Sequence, residues 1–157
     1  MGLKRRWRAV SALAGLFVLA VFFGCALGEP LRLPFSASQV EKIEIYRFVV
    51  PAEAEKKTIA SFPEIQEICG VFTSLRVKEN TLEPAAGGQV TSFRFTLDGG
   101  SKFEMVYASL DHGIGELKAE GFDCQTTANL SDIWNDYGGS ESISVPESEL
   151  PAIVPYS

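Results

Sequence analysis

Residues 92–107 read SFRFTLDGGSKFEMVY, and apolar and polar side chains alternate on both sides of a glycine pair. Such alternation is typical of a half-buried β-strand, because successive side chains of a strand point to opposite faces. Asp98-Gly99-Gly100-Ser101 separates the two runs and is typical of a tight turn, since glycine readily adopts positive φ. The stretch therefore predicts an antiparallel hairpin with one apolar, aromatic-rich face. That face would carry Phe93, Phe95, Leu97, Phe103, Met105 and Tyr107.

The aromatic face of this hairpin has two interpretations. An antiparallel sheet needs one apolar face to pack against other elements, so these side chains could form an ordinary core. Together with Trp134 they could instead line a groove for a ligand, because ligand sites are lined mainly by apolar and aromatic side chains. An exposed strand edge would also allow a peptide to add to the sheet.

Further strands are predicted on both sides of the hairpin. Residues 40–50 alternate, and their apolar side chains Ile43, Ile45 and Val49 fall on one face. Pro51 ends the run because proline lacks the backbone donor that a strand needs. Shorter apolar runs indicate a return strand at residues 58–60 and later strands at residues 114–118 and 122–124.

Two helices are predicted as well. Ser61 and Glu64 have the spacing of a capping box at the start of the first helix. Gly70 lies within this helix and weakens it by about 1 kcal/mol relative to alanine. The second helix is predicted from about residue 129 to residue 137, and Gly138-Gly139 ends it. The buried stripe of the first helix would be Ile65, Ile68, Cys69, Phe72 and Leu75.

These elements predict an α+β fold: an antiparallel sheet of four to six strands with two helices packed on one face, preceded by an N-terminal signal or anchor helix. The predicted organisation is a lipoprotein signal peptide or membrane anchor at residues 1–24, a tether at 25–38, a globular domain at 39–139, and a disordered acidic tail at 140–157. The tail is predicted because it is rich in proline, serine and glutamate and has no basic residue.

The N-terminus has the layout of an export signal. Four basic residues lie within residues 4–8, an uncharged apolar run covers residues 9–23, and Gly24-Cys25 follows. A cysteine directly after a small residue indicates a lipoprotein signal, in which the Cys25 thiol is acylated before cleavage. Phe22 and Phe23 occupy positions where a lipobox usually has leucine and a small residue.

Two other interpretations of the N-terminus remain open. Residues 9–28 contain no charge and are long enough to span a bilayer as an uncleaved anchor. Ordinary secretory cleavage is the other. The basic cluster stays on the cytoplasmic side, so the lipoprotein and the single-span anchor both place the C-terminal domain outside the cell membrane.

Charge limits the partners of the domain. Removal of residues 1–24 leaves 133 residues with ten basic and twenty acidic side chains, a net charge of −10. Such a surface repels phosphate backbones, so nucleic acid is not expected as a partner. Anionic lipid is repelled too, so the membrane contact is expected to come from the anchor alone.

The cysteine count is odd, which fits acylation of one of them. Cys69 and Cys124 then remain and could pair outside the membrane, where such a disulfide would stabilise the fold by about 4 kcal/mol. The alternative is two buried free thiols, since cysteine is among the most buried residue types.

The sequence offers no clear catalytic or metal-binding set, and no cofactor is expected. His112 is the only histidine and lies beside Asp111 in a glycine-rich turn, where a solvated loop residue is the expected role. Glu116, Glu120 and Asp123 complete a loose acidic group with Asp111, but their spacing is not that of a calcium loop. We therefore interpret the group as a solvated charged edge.

The chain resembles small Gram-positive envelope lipoproteins, whose domains have no assigned function. The resemblance covers roughly residues 1–137, brings no catalytic residue, and implies a lipid-anchored extracytoplasmic domain. It rests on the Gly24-Cys25 signal, the strand with Ile43 and Ile45, the helix with Glu64, Ile65 and Ile68, and the hairpin turn at residues 98–100.

Three functional hypotheses follow. The first is a membrane-tethered binding or interaction lipoprotein of the extracytoplasmic face, with an envelope protein or peptide as its partner. The second is a small envelope enzyme or enzyme accessory subunit that uses groups such as Asp111, His112 and Glu116. The third is an acidic sensor or inhibitor domain that caps a basic partner protein.

Overall fold

The computed structural model describes residues 28–81 and 87–152, and these residues form one antiparallel sheet with two helices. The helices are α1 (Phe62–Ser74) and α2 (Asp132–Asp136). The strands are β1 (Glu29–Pro30), β2 (Val40–Phe48), β3 (Glu55–Ile59), β4 (Arg76–Glu79), β5 (Val90–Leu97), β6 (Lys102–Ser109), β7 (Gly115–Ala119), β8 (Phe122–Thr126) and β9 (Ile143–Ser144).

The strand order across the sheet is β1-β4-β8-β7-β6-β5-β2-β3-β9. The β5–β6 hairpin lies near the middle, which confirms the hairpin predicted for residues 92–107, and Phe93 pairs with Met105 across it. β2 pairs along β5 on the other side of that hairpin. β1 and β9, each two residues long, form the opposite ends of the order.

The predicted fold class was wrong. The described residues are mostly β, with nine strands in one sheet instead of four to six, and with two short helices. The strands that the sequence did not predict, β1, β4 and β9, are two to four residues long, and so few residues show no recognisable alternation. The second helix is five residues long, and the residues expected to extend it lie outside the helix.

The aromatic face of the hairpin packs against α1. Phe72 lies edge-on to Phe93 and Phe95, with ring centroids 5.0 and 5.7 Å apart, and all three rings are fully buried. Burying such a side chain stabilises the fold by about 1.5–3 kcal/mol. Ile65 and Ile68 reach the same core from one helix face, as their spacing predicts.

The predicted capping box of α1 does not form. Ser61 occupies the N-cap position, but its side chain makes no capping hydrogen bond. The Glu64 carboxylate instead accepts a hydrogen bond from the backbone N–H of Gly138, at 3.2 Å. The start of α1 is thereby joined to the chain that follows α2.

Residues 28–38, which the sequence places in a tether, are packed into the fold. The Leu31 N–H donates to the Leu75 carbonyl at 3.0 Å, and Leu31 is buried. Phe35 packs its ring 5.1 Å from that of Phe95. The predicted signal at residues 1–24 and the predicted lipidation site, Cys25, lie outside the described residues.

The C-terminal segment, residues 140–152, also packs against the sheet, although the sequence predicts a disordered tail there. β9 pairs with β3, and the Val145 N–H donates to the Ala54 carbonyl at 3.0 Å. Val145 and Ala54 are buried with Tyr46 in a second small apolar cluster. The apolar residues of the segment therefore find a packing surface that composition alone did not reveal.

Substitution of alanine for glycine is expected to have opposite effects on the free energy of unfolding at two positions. A Cβ at Gly70 in α1 would contact nothing within 4 Å, so Gly70→Ala should raise the free energy of unfolding by about 1 kcal/mol. A Cβ at Gly115 would lie 2.5 Å from Cζ of the buried Tyr107 ring, so Gly115→Ala should lower it by about 1–3 kcal/mol. Urea unfolding measures both. Equal effects of the two substitutions would contradict this packing.

Candidate functional site

The face of the sheet opposite the aromatic core carries charged side chains in register. Glu44 on β2 pairs with Arg94 on β5, and Arg94 pairs with Glu104 on β6. Alternation produces this arrangement, because each of these residues lies between two core residues along its strand. We call this surface the polar face.

Arg94 is the centre of the polar face and is 9% exposed. Its Nε donates to Glu104 Oε1 at 2.6 Å, its Nη1 to the Tyr46 hydroxyl at 2.5 Å, and its Nη2 to the Glu149 carbonyl at 2.9 Å. Burial alone would lower the pKa of Arg94, but the hydrogen bond and charge of Glu104 outweigh it and raise the pKa. The guanidinium is therefore fixed in place and charged.

Lys56 completes the network on β3. Its Nζ pairs with the carboxylates of Glu44 and Glu149. Burial would raise the pKa of Glu44, but Lys42 and Lys56 outweigh it, so the pKa falls below the ordinary 4.5. The Ala152 N–H donates to Glu104 Oε2 at 3.1 Å. The network thus binds the C-terminal segment across the polar face instead of leaving an open site.

A second polar group lies near the other end of the sheet. The Asn80 amide donates to Glu116 at 2.5 Å and to Asp123 at 2.9 Å, and Lys118 Nζ pairs with both carboxylates, at 3.1 and 3.6 Å. Glu116 is 2% exposed, and its Oε2 has no hydrogen-bond partner among the described residues. Gln125, opposite Glu116 in register, also has a buried side-chain carbonyl oxygen that accepts no hydrogen bond within the described part of the chain.

The structure brings together only part of the predicted acidic group. Glu116 and Asp123 meet at Asn80, whereas Glu120 is exposed at the β7–β8 turn. His112 is exposed in the single-turn helix Asp111–Gly113, with a φ of 64°. No hydrogen bond or ion pair between described residues joins His112 to Glu116. Of the groups suggested for an envelope enzyme, His112 and Glu116 are thus not joined by a hydrogen bond in the described part of the chain.

Cys69 and Cys124 are both buried and both free thiols. The structure therefore shows the free-thiol alternative, not the disulfide. Burial raises the pKa of Cys69, and burial together with the charge of Asp123 raises the pKa of Cys124 to about 11. Neither thiol is poised as a nucleophile, because the thiolate is the reactive form.

The aromatic face of the hairpin is core and not a groove. Phe93, Phe95, Met105 and Tyr107 are all at most 2% exposed. Trp134 is buried beside them, with the Arg47 guanidinium 4.6 Å and the Lys57 ammonium 5.0 Å from its ring centroid. Lys57 also donates to the carbonyls of Trp134 and Gly139, at 2.7 and 2.6 Å. These cations hold α2 and the following chain on the sheet.

Exposed apolar side chains concentrate at one corner of the sheet. Val49, Val50 and Ile143 are 67%, 50% and 60% exposed. Val49 and Val50 lie in the connection from β2 to β3, and Ile143 lies on β9, which pairs with β3. We call these three residues the distal corner. Of the large apolar side chains described, Phe62 is the other one that is comparably exposed, and it starts α1.

Sequence reasoning missed the polar face and the distal corner. The signal for the polar face was present, since Arg94 and Glu104 lie at facing positions of a predicted hairpin. The signal for the C-terminal segment was weaker: Val145 and Leu150 are isolated apolar residues in an acidic stretch. The distal corner depends on β3 and β9 being neighbours, which local periodicity does not encode.

Comparisons with known proteins add no identity, because no protein-family model, no curated protein and no solved structure matches the chain. Within the part of the chain that the structure describes, no helix is long and apolar enough to cross a bilayer. The same residues contain no group of three or more histidine, cysteine, aspartate and glutamate side chains that could hold a metal ion.

The thiols give a direct test of this packing. In a Cys25→Ala variant, Cys69 and Cys124 are the only cysteines, and both should resist an aromatic disulfide reagent at about pH 8 until guanidinium unfolds the chain. A pKa of about 11 in place of 9.0 leaves Cys124 about one hundredfold less thiolate than an ordinary cysteine. Two thiols per unfolded chain are expected. If the unfolded chain showed no reactive thiol, Cys69 and Cys124 would be joined by a disulfide.

Proposed function

We propose that this chain is a lipid-anchored extracytoplasmic interaction protein. Its anchor is an acyl group on Cys25, and its partner is an envelope protein or an extended peptide. The support for the anchor is the sequence of residues 4–25, with a basic cluster, an apolar run and Gly24-Cys25. The support for the partner is the distal corner.

The observation that carries the proposal is the position of the two ends of the sheet. Gly28 and β1, three and four residues after Cys25, lie at one end of the strand order, and β9 lies at the other. Eight strand spacings of about 4.8 Å separate β1 from β9, up to about 38 Å before the sheet twist is considered. An anchor at Cys25 would therefore hold one edge at the membrane and present the opposite edge to the surroundings.

The distal corner has the features of a protein-binding edge. Its three exposed apolar side chains lie on neighbouring elements at the β3–β9 side of the sheet and would offer apolar contacts to a partner. The outer backbone groups of β9 have no strand partner among the described residues, so an extended peptide could pair with them. Its apolar side chains would then meet Ile143 and the two valines.

A second candidate function, an acidic domain that caps a basic partner, is favoured by the surroundings of Tyr137. Burial raises the pKa of Tyr137, and the carboxylates of Glu67, Asp136 and Glu64 raise it further. These carboxylates therefore lie near Tyr137, and Glu64 also accepts a hydrogen bond from the adjacent Gly138 N–H. A partner bound there would be basic, and its association would weaken as salt increases.

Position-specific photo-crosslinking in the membrane tests the proposal. A photoreactive side chain at Val49 or Ile143 should crosslink to one discrete partner, because both positions belong to the distal corner. Phe62 is the matched control, since it is also apolar and 51% exposed but lies on α1. Immunoblotting and mass spectrometry of the adducts give the readout.

The outcomes separate the candidates. Adducts from Val49 and Ile143 but not from Phe62 support the distal corner. Salt-sensitive adducts from Phe62, which lies two residues from Glu64, would favour the acidic-patch alternative. Equal adduct yields from all three positions would overturn a specific binding edge, and so would no adducts at all.

A further inference from the structure

The chain enters the fold at the β1–β4 edge without a spacer. Pro30 pairs with Arg76 and Glu29 with Val77, and a Cβ on Gly28 would lie 2.7 Å from the Val77 carbonyl oxygen. Three residues reach at most about 10 Å. If Cys25 is acylated, as the proposed function requires, this edge lies within that distance of the lipid headgroups.

Three basic side chains lie at this edge and have no carboxylate partner among the described residues: Arg32, Arg76 and Lys78. All three are exposed. Arg76 and Lys78 are two residues apart on β4 and therefore point to the same side of the strand. Arg32 follows β1 by two residues.

The other basic residues after Cys25 have a different environment, with one exception. Six of the seven contact carboxylates or backbone carbonyls in the described structure, and Lys102 does not. Lys102 begins β6, which is three strands from β4 and four from β1 in the strand order, so it is far from the entry point of the chain. Of the four cations without a carboxylate or carbonyl partner among the described residues, three therefore lie where the anchor would be.

The charge of this edge also differs from that of the remainder. Glu29 and Glu79 accompany the three cations, so these five residues carry +1. The rest of the chain from Cys25 onward has seven basic and eighteen acidic side chains, a net charge of −11. An anionic surface would thus repel the domain less strongly when the β1–β4 edge faces it than in any other orientation.

We propose that the β1–β4 edge docks on anionic phospholipid headgroups through Arg32, Arg76 and Lys78. Guanidinium groups suit phosphate because they donate two parallel hydrogen bonds to it, and lysine adds a point charge. Each basic residue near an anionic leaflet strengthens association about fivefold. The membrane contact is therefore more than the anchor that the sequence predicts, and it keeps the sheet upright with β9 outward.

Lysine footprinting on vesicles tests this docking. Acylated protein isolated from membranes is reconstituted into vesicles of phosphatidylcholine alone or with added phosphatidylglycerol, then treated briefly with an amine-reactive acetylating reagent. Mass spectrometry compares Lys78 with Lys102, which is exposed and unpaired but distant. In anionic vesicles Lys78 labelling should fall several-fold relative to Lys102, and high salt or Arg32→Gln with Arg76→Gln should restore it.

The experiment distinguishes failure of the headgroup docking from failure of the lipid anchor on which the proposed function rests. Isolation of a chain without lipid would remove the anchor itself. An acylated chain whose Lys78 and Lys102 label alike in anionic vesicles would overturn the docking and leave the anchor intact. Equal protection of Lys78 in neutral vesicles would also overturn it, because proximity and not headgroup charge would then be the cause. Unchanged thermal unfolding of the Gln variants serves as the folding control.

Discussion

The contact of Phe72 with Phe93 and Phe95 is the constraint on which the rest of the structure depends. It fixes α1 on one face of the central hairpin, so the aromatic side chains of β5 and β6 become core. Alternation then places Arg94 and Glu104 on the opposite face, where the charged network forms. The C-terminal segment can close over that face because Arg94 and Lys56 both hold Glu149.

The features that could be predicted from the sequence are those whose pattern lies within one continuous segment of the chain. The hairpin at residues 92–107 and helix α1 were predictable because each contains several periods of its pattern. The nine-strand sheet was not, since β1, β4 and β9 are short and acquire their partners from distant sequence. Glu64 shows the same limit within the candidate site: its spacing from Ser61 indicated a local cap, whereas its carboxylate accepts from Gly138 in the folded chain.

The sheet has two unlike edges, and this difference is the basis of the functional proposals. The β1–β4 edge receives the chain directly after residue 27 and carries three cations that have no carboxylate partner among the described residues. The β3–β9 edge carries the exposed apolar residues Val49, Val50 and Ile143. If the sheet between the edges is rigid, an anchor at the β1–β4 edge would fix the distance of the β3–β9 edge from the membrane and its orientation. The ion pairs of the polar face link neighbouring strands and the C-terminal segment across this sheet.

Attachment at Cys25 is the central claim, and the intact mass of the membrane-extracted protein tests it most directly. The wild-type chain should begin at Cys25 and carry a diacylglycerol group, and the Cys25→Ala variant should not be processed in this way. A mass that retains residues 1–24 in both proteins would contradict lipid attachment and indicate a single-span anchor. A wild-type chain found in the medium without lipid would contradict any fixed placement of the β1–β4 edge at the membrane.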